Sequence, residues 1–243
     1  MRVVAIIQAR MGSTRLPGKV LKDLGGETVL ARVVNRTRRA TLLDNVVVAT
    51  SVLPADDAIA QECESLKVAC FRGDEVDVLD RYYRAAQKFG ADAVVRITAD
   101  CPLIDWELID ATIRSNLEQK ADYATNALVL TYPRGLDVEV FTVDALERAW
   151  SAAKEEHQRI HVTPYLYETP DLFKVISVAD ETDHSKYRWT LDTTEDLEMI
   201  RAVYKHFANR DSFRWNEVLD LMENQPELAD LNSHVRQKTL REG

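Results

Sequence analysis

The sequence is short of cysteine, has no excess of positive charge and lacks the glycine patterns of the two commonest nucleotide-binding loops, and each absence removes a class of function. Cys63, Cys70 and Cys101 are the only cysteines and are not grouped as metal ligands. An odd count also argues against a disulfide framework and for a reducing compartment. The formal net charge is -9, so a general basic surface is missing and neither nucleic acid nor a membrane surface is expected as a partner. The first apolar run is short and is followed closely by Arg10; no signal peptide or membrane span is expected, and the setting is read as cytoplasmic. No repeat, low-complexity tract or Pro/Gly/Ser linker divides the 243 residues, of which 46% are hydrophobic. A single domain over 1-243 is therefore expected, ending in a polar tail over 225-243 that is only partly ordered. Nor is there a Ser-His-Asp series, a cysteine-nucleophile pattern or zinc spacing, so covalent catalysis is not indicated.

What the chain does contain is a buried strand that runs into a cationic loop. Val3 to Ile7 is an unbroken apolar run, as expected of a strand covered on both faces of a parallel sheet. The following Gln8-Ala9-Arg10-Met11-Gly12-Ser13-Thr14-Arg15-Leu16-Pro17-Gly18-Lys19 suits phosphate. Gly12 and Gly18 free the backbone to turn N–H groups towards a ligand, Ser13 and Thr14 add hydroxyls, and Arg10, Arg15 and Lys19 add charge against the sign of the whole molecule. It is not a P-loop, because five residues separate Gly12 from Gly18 and Val20 follows Lys19. Gly12 also lacks the partners of a dinucleotide-binding helix start.

Helical and strand periodicities alternate after the loop. Helices are expected over Val29 to Ala40, Ala55 to Leu66, Asp77 to Phe89 (ended by Gly90) and Trp106 to Lys120, with strands at Asn45 to Thr50, Val68 to Phe71 and Ala93 to Ile97. This alternation argues for an α/β fold whose mostly parallel sheet is covered by helices on both faces, with ligands beyond the carboxyl ends of the strands. The second half is less regular. A strand over Leu136 to Thr142, a helix from Val143 to Ala153, a helical segment over His157 to Glu168, a strand at Phe173 to Val178 and helices over Thr193 to Phe207 and Arg214 to Glu223 suggest antiparallel additions.

Two loops then face one crevice. Asp100, in Thr98-Ala99-Asp100-Cys101-Pro102 after the fourth strand, is placed to hold Mg²⁺ beside the cationic loop, while Asp105 suits the cap of the next helix. Asp192 is the second metal candidate, because Thr193 can cap the following helix and Asp196 belongs to that cap. Asp137 and Glu139 share one face of a strand and either turn to solvent or meet an acceptor or the metal's water shell. Arg159 and His161 are cationic candidates for an acidic substrate; His157 reads as an ordinary surface or core histidine. These groups together suit phosphoryl or nucleotidyl transfer by positioning and charge neutralisation.

The loop from Gln8 to Lys19 resembles the signature of the cytidylyltransferases that make CMP-activated acidic sugars. Thr98 to Asp105, Gly135 to Phe141, His161 to Tyr165 and Leu191 to Leu197 are similar to the branch named for spore coat polysaccharide synthesis. The resemblance implies a Rossmann-like nucleotidyltransferase fold, CTP and Mg²⁺ as ligands, and a homodimer. It also implies attack of an acceptor oxygen on the α-phosphorus of CTP with loss of pyrophosphate. Carried onto this chain, it places the triphosphate on Arg10, Ser13, Arg15 and Lys19, the base against Ala9, Thr50 and Ser51, and the metal on Asp100 and Asp192. Gln8, Gly12, Thr14, Arg72 and Thr98 complete the expected nucleotide contacts. Arg10, Arg15, Lys19 and Asp100 are the expected catalytic set. A small acidic acceptor, a sugar acid or a phosphonate, is expected on Asn126, Arg134, Asp137, Glu139, Arg159 and His161, within a region over 123-170 that also supplies dimer contacts. The chain departs from the pattern at Arg96 and Thr98, where sugar-acid relatives often carry Gln or Asn, and at Ile160, where Glu is expected. A nucleotide-sugar glycosyltransferase is the rival enzyme, but Asp100-Cys101-Pro102 does not give its Asp-x-Asp pair; a non-catalytic nucleotide-binding module is the other.

Overall fold

In the structure, a computed structural model that describes residues 1–238, the apolar run after Arg2 becomes an interior strand of a seven-stranded sheet. The strands are β1 (Val3–Gln8), β2 (Asn45–Ser51), β3 (Ala69–Gly73), β4 (Ala93–Thr98), β5 (Tyr123–Thr125), β6 (Glu139–Thr142) and β7 (Val175–Ser177), in the order β3-β2-β1-β4-β6-β5-β7. β1 pairs in parallel with both β2 and β4, and β2 with β3. Beyond β4 the direction changes, because β6 is antiparallel to both β4 and β5. The parallel strands are continuous hydrophobic runs because helices bury both of their faces.

Alternate residues of β1 feed opposite layers, as a two-residue period requires. Val3, Ala5 and Ile7 pack under α1 (Val29–Thr37), α2 (Asp57–Ser65) and α4 (Trp106–Gln119), through Leu30, Val33, Ile59, Ile109 and Ile113. Val4 and Ile6 pack against α3 (Val78–Lys88) and α5 (Val143–Ala152), through Leu79, Tyr82, Ala145 and Leu146. A third apolar cluster joins α8 (Thr194–His206) and α9 (Trp215–Asn224) to Leu16, Leu103 and the extended segment around Trp189. The expected α/β sheet with both faces covered and an antiparallel second half is the fold observed.

Several boundaries and one helix differ from the sequence reading. Asp77 caps α3 through its side chain, and Gly90 adopts φ 62 just past its end, the left-handed stop that glycine favours. The single helical segment expected over His157 to Glu168 is two helices, α6 (Glu156–His161) and α7 (Pro164–Glu168). Val162 between them has φ 75 and ψ -57, and the Thr163 N–H donates to the His161 carbonyl at 2.9 Å, which is a γ-turn of the rare strained kind. The arginines of α1 are not all on a solvated face. Arg32 and Arg36 are buried, donating to the carbonyls of Leu24 and Gly25 and of Ile104 and Leu103 respectively. They tie the loops that follow β1 and β4 to the helix.

The segment expected as a polar tail is more structured than its composition suggests over its described part. α10 (Pro226–Asp230) follows α9, and Asn232 is buried, donating to the Arg188 carbonyl and to Asp196 Oδ1. Residues 239–243 of that expected tail lie outside the described residues. Among the described residues no helix is long and apolar enough to cross a membrane.

Candidate active site

Register places the two expected loops side by side. Gln8 at the end of β1 is opposite Thr98 at the end of β4, so the loop from Ala9 and the loop from Ala99 leave the same edge of the sheet. Because β6 runs the other way, with Glu139 opposite Arg96, the turn that precedes it returns to that edge. The extended segment Tyr187 to Asp192 is then laid between loop and turn. The Trp189 N–H donates to the Arg134 carbonyl at 2.7 Å and the Leu191 N–H to the Asp100 carbonyl at 2.8 Å. A cleft of about 920 Å³ opens there, lined by Gln8, Arg10, Gly12, Ser13, Thr14, Arg15, Lys19, Thr98, Asp100, Arg134, Asp137, His161 and Asp192. That volume is within the range of small-molecule sites.

Within the cationic loop, Gly18 alone takes a left-handed conformation, φ 66, and starts the 3-10 turn Lys19–Leu21 that turns Lys19 inward. Gly12 does not use positive φ. The N–H groups of Met11, Ser13, Leu16, Gly18 and Lys19 donate within the chain, to Asp56 Oδ1, the Met11 carbonyl, Ser13 Oγ, the Met11 carbonyl and the Leu16 carbonyl. The backbone therefore spends much of its donor capacity on shaping the loop, and the side chains of Arg10, Ser13, Thr14 and Arg15 line the cleft with donors.

Lys19 stands at the centre of the charges. Its Nζ donates to Asp100 Oδ2 at 2.7 Å, Asp192 Oδ1 at 2.8 Å and the Leu191 carbonyl at 2.7 Å, which uses all three ammonium protons. Burial alone would lower the Lys19 pKa, but Asp100 and Asp192 outweigh it and raise it above the usual lysine value. Burial likewise works against ionisation of Asp100, and the Lys19 ammonium overcomes it, holding that carboxyl at about 2. Asp192 is lowered in the same way, burial opposing and Lys19 prevailing with help from Arg15. Both carboxylates are thus ionised at neutral pH.

Asp192 is held from behind by a residue that the sequence did not announce. Arg188 Nη2 donates to Asp192 Oδ2 at 2.8 Å, and Arg188 Nε and Nη2 fork onto the fully buried Asp196 at 2.9 and 3.0 Å. Gln237 Oε1 accepts from Arg188 Nη1. Arg15 Nη2 meets Asp192 Oδ2 from the loop side at 2.9 Å. Thr193 and Asp196 form the expected capping box of α8, and Asp105 caps α4. Arg188 lies in irregular extended chain, where no periodicity marks a side chain as inward. Gln237 and Lys238, which also line the cleft, come from the segment read only as a tail.

On the far wall, Arg134, Asp137 and His161 face the same space, with Cys101 below. Burial raises the Asp137 pKa despite the opposing Arg134 charge. Gly135 sets this wall. At φ 103, a Cβ there would lie 2.5 Å from the Trp189 carbonyl carbon and 2.6 Å from the Thr190 nitrogen, both main-chain atoms that cannot step aside. Gly135→Ala is expected to cost about 2–3 kcal/mol from the strained backbone and the clash together. Urea unfolding checks this, and an unchanged midpoint would show that the turn moves freely.

Other residues expected at the site are elsewhere. Ala9 is buried, its N–H donating to the Ala49 carbonyl. Thr50 and Ser51 are fully buried, and Ser51 Oγ donates to Asp56 Oδ2 at 2.6 Å. Arg72 donates to the Ser51 and Leu53 carbonyls and pairs with Asp57, bracing the end of β2. Asn126 is buried between the Leu136 carbonyl and the Val138 N–H. Glu139 is neither solvent-facing nor at the cleft. It is 7% exposed, pairs with Arg96, and accepts from Tyr123 and Thr163 hydroxyls, each at 2.6 Å. Arg159 pairs with Asp77 and donates to the Trp150 carbonyl, joining α6 to the start of α3. Apart from the Thr50 hydroxyl, which is buried without a hydrogen-bond partner among the described residues, the polar side chains are satisfied by their own chain, the other common use of buried polar residues.

The donor chemistry at Asp100 and Asp192 suits a hard divalent cation. Both are ionised carboxylates, and their facing oxygens, Asp100 Oδ2 and Asp192 Oδ1, converge on one point now taken by the Lys19 ammonium, a place that a hard cation can also fill. No group of three or more His, Cys, Asp or Glu side chains among the described residues forms a metal cage. With two carboxylates from the protein, a cation there would take the rest of its shell from water and phosphate, the usual arrangement for Mg²⁺.

Comparison with known proteins agrees with this geometry. A family model described as cytidylyltransferase matches residues 4–228. A protein of Methanocaldococcus jannaschii named only as uncharacterized is 42% identical over 100% of this chain and 99% of its own. The spore coat polysaccharide biosynthesis protein SpsF of Bacillus subtilis is 35% identical over 93% of this chain and 96% of its own. The solved structure of a cytidylyltransferase from Leptospira borgpetersenii superposes with a TM-score of 0.91 at 34% identity, covering 98% of this chain and 100% of that one.

Proposed function

We propose, from the premise that this chain belongs to the cytidylyltransferase family and is a nucleotidyltransferase, that it moves CMP from CTP to a small acidic acceptor with release of pyrophosphate. The observation that carries this reading is the meeting of Arg10, Arg15 and Lys19 with Asp100 and Asp192 in one cleft. An acceptor oxygen attacks the α-phosphorus while the bond to the β-phosphate oxygen breaks. Arg10 and Arg15 then face the charge gathering on the departing pyrophosphate, with Ser13 and Thr14 as hydroxyl donors. Arg10 has no ion pair within the described chain, so its charge is available to a ligand.

Asp100 and Asp192 would hold Mg²⁺, whose contribution when bound is to neutralise and orient the triphosphate. Arg188 and Asp196 fix the Asp192 carboxylate against rotation, so it meets the ligand in one orientation. Arg134 and Lys238 give the other end of the cleft a positive character that favours an anionic acceptor, a sugar acid or a phosphonate. The name of the Bacillus subtilis relative supports polysaccharide biosynthesis as the use.

The test has two stages. Thermal melting with CTP, UTP, ATP or GTP and Mg²⁺ should show the largest rise with CTP, since a ligand of the folded state stabilises by mass action. Pyrophosphate release is then measured from CTP with a panel of sugar acids and phosphonates. No selectivity for CTP together with no release across the panel would remove this reading.

A further inference from the structure

We propose that Lys19 is an internal counter-ion for the two metal-binding aspartates, occupying the space between them until nucleotide arrives, so that a divalent cation enters only with the nucleotide. The proposal rests on the assignment of Asp100 and Asp192 as metal ligands, made above. Their facing oxygens, Asp100 Oδ2 and Asp192 Oδ1, are the two that Lys19 Nζ holds at 2.7 and 2.8 Å. A Mg²⁺ ion bonds such oxygens at about 2.0–2.1 Å. A divalent cation bound between these facing oxygens falls where the ammonium now sits, and the repulsion of the two charges at that separation is large in a site only partly open to solvent. One must leave.

The structure says which one can move. Lys19 has a flexible four-carbon stem and sits at the end of the loop that carries Arg10 and Arg15, so a triphosphate bound to that loop offers it new oxygens. Asp192 stays in place when Lys19 departs, because Arg15 and Arg188 grip its other oxygen, Oδ2. The buried Leu191 carbonyl loses its Lys19 bond in the exchange, a cost that the new phosphate and metal contacts offset. The ammonium therefore keeps two close carboxylates neutralised in the empty enzyme and transfers its charge to the phosphates when the metal takes over. A lysine bound to both aspartates permanently would serve the fold alone and would leave metal affinity unchanged on its removal.

The test measures metal alone. Mn²⁺ is titrated into nucleotide-free protein, and free ion is followed by electron paramagnetic resonance, for the wild type, Lys19→Met and Lys19→Gln, each first shown to melt cooperatively. The wild type should bind weakly, and both variants at least about tenfold more tightly, since removal of one competing charge exposes the pair. The double variant Lys19→Met, Asp100→Asn should fall back towards the wild type. Variants that bind no more tightly than the wild type overturn the proposal, as does tight binding by the wild type itself. Because no nucleotide is present, this outcome is independent of whether CTP is the substrate, which the melting series decides separately.

Discussion

Asp100→Asn is expected to lower the rate of pyrophosphate release from CTP by at least about 10²-fold with the acceptor that the panel selects, because one of two carboxylates for the cation becomes a neutral amide. The fold should survive. Asp100 is 26% exposed at its side chain, and Lys19 keeps its bonds to Asp192 and to the Leu191 carbonyl. A second readout follows from linkage. The wild-type carboxyl is lowered from an ordinary 3.8 to about 2, burial opposing and Lys19 prevailing. A carboxyl depressed in the folded state contributes stability above its unfolded pKa and loses it as pH falls through the folded one. The stability difference between wild type and Asp100→Asn should therefore be fully present above about pH 4 and fade towards pH 2. Full turnover by the variant would remove Asp100 from the chemistry, whatever the melting curves show.

Arg96→Leu is expected to be among the most damaging substitutions for stability, at about 3–5 kcal/mol, because it leaves Glu139 charged and buried without its counter-ion. The carboxylate keeps two hydroxyl donors, Tyr123 and Thr163, so part of its solvation remains. The informative comparison is the double variant Arg96→Leu, Glu139→Gln, which removes both charges and should recover most of the loss in urea unfolding. An Arg96→Leu midpoint equal to that of the wild type would mean that the pair contributes nothing. The position also answers what stands where relatives carry Gln or Asn. Arg96 directs its charge to Glu139 and only a long 3.4 Å contact to Gln8.

The loop from Gln8 to Lys19 and the Asp100 loop were legible because their residues are contiguous and follow strands whose apolar runs are unmistakable. Ligand sites at the carboxyl ends of parallel strands then bring the two together by topology alone. Asp192 was legible once Thr193 and Asp196 accounted for the helix cap. Less legible was the division of polar residues into those that line the cleft and those that brace the fold. Arg72, Asn126, Glu139 and Arg159 have the chemistry of a binding site, yet each is spent on backbone or side-chain partners that tertiary packing brings to it, Ser51 is spent on Asp56, and Thr50 is fully buried. Arg188 failed in the opposite direction, because extended irregular chain gives no period from which to read an inward side chain. The break at Val162 was equally hidden, since a valine at positive φ contradicts its local preference and is imposed by the packing around it.

The three oxygens that hold Lys19 lie far along the chain: Asp100 is 81 positions later, the Leu191 carbonyl 172 and Asp192 173. This spacing gives the cleft a place in the order of synthesis. A chain that emerges from its amino end can pair β1 with β2 and β4 and bring Lys19 to Asp100 before the segment Tyr187 to Asp192 exists. The last partners of the ammonium arrive only when four-fifths of the chain has been made, and closing so long a loop is the slow kind of contact. A chain cut short before that point holds most of its sheet and only part of its charge cluster. Premature products therefore carry the cationic loop and Asp100 but lack the side of the cleft that Thr190 and Asp192 supply.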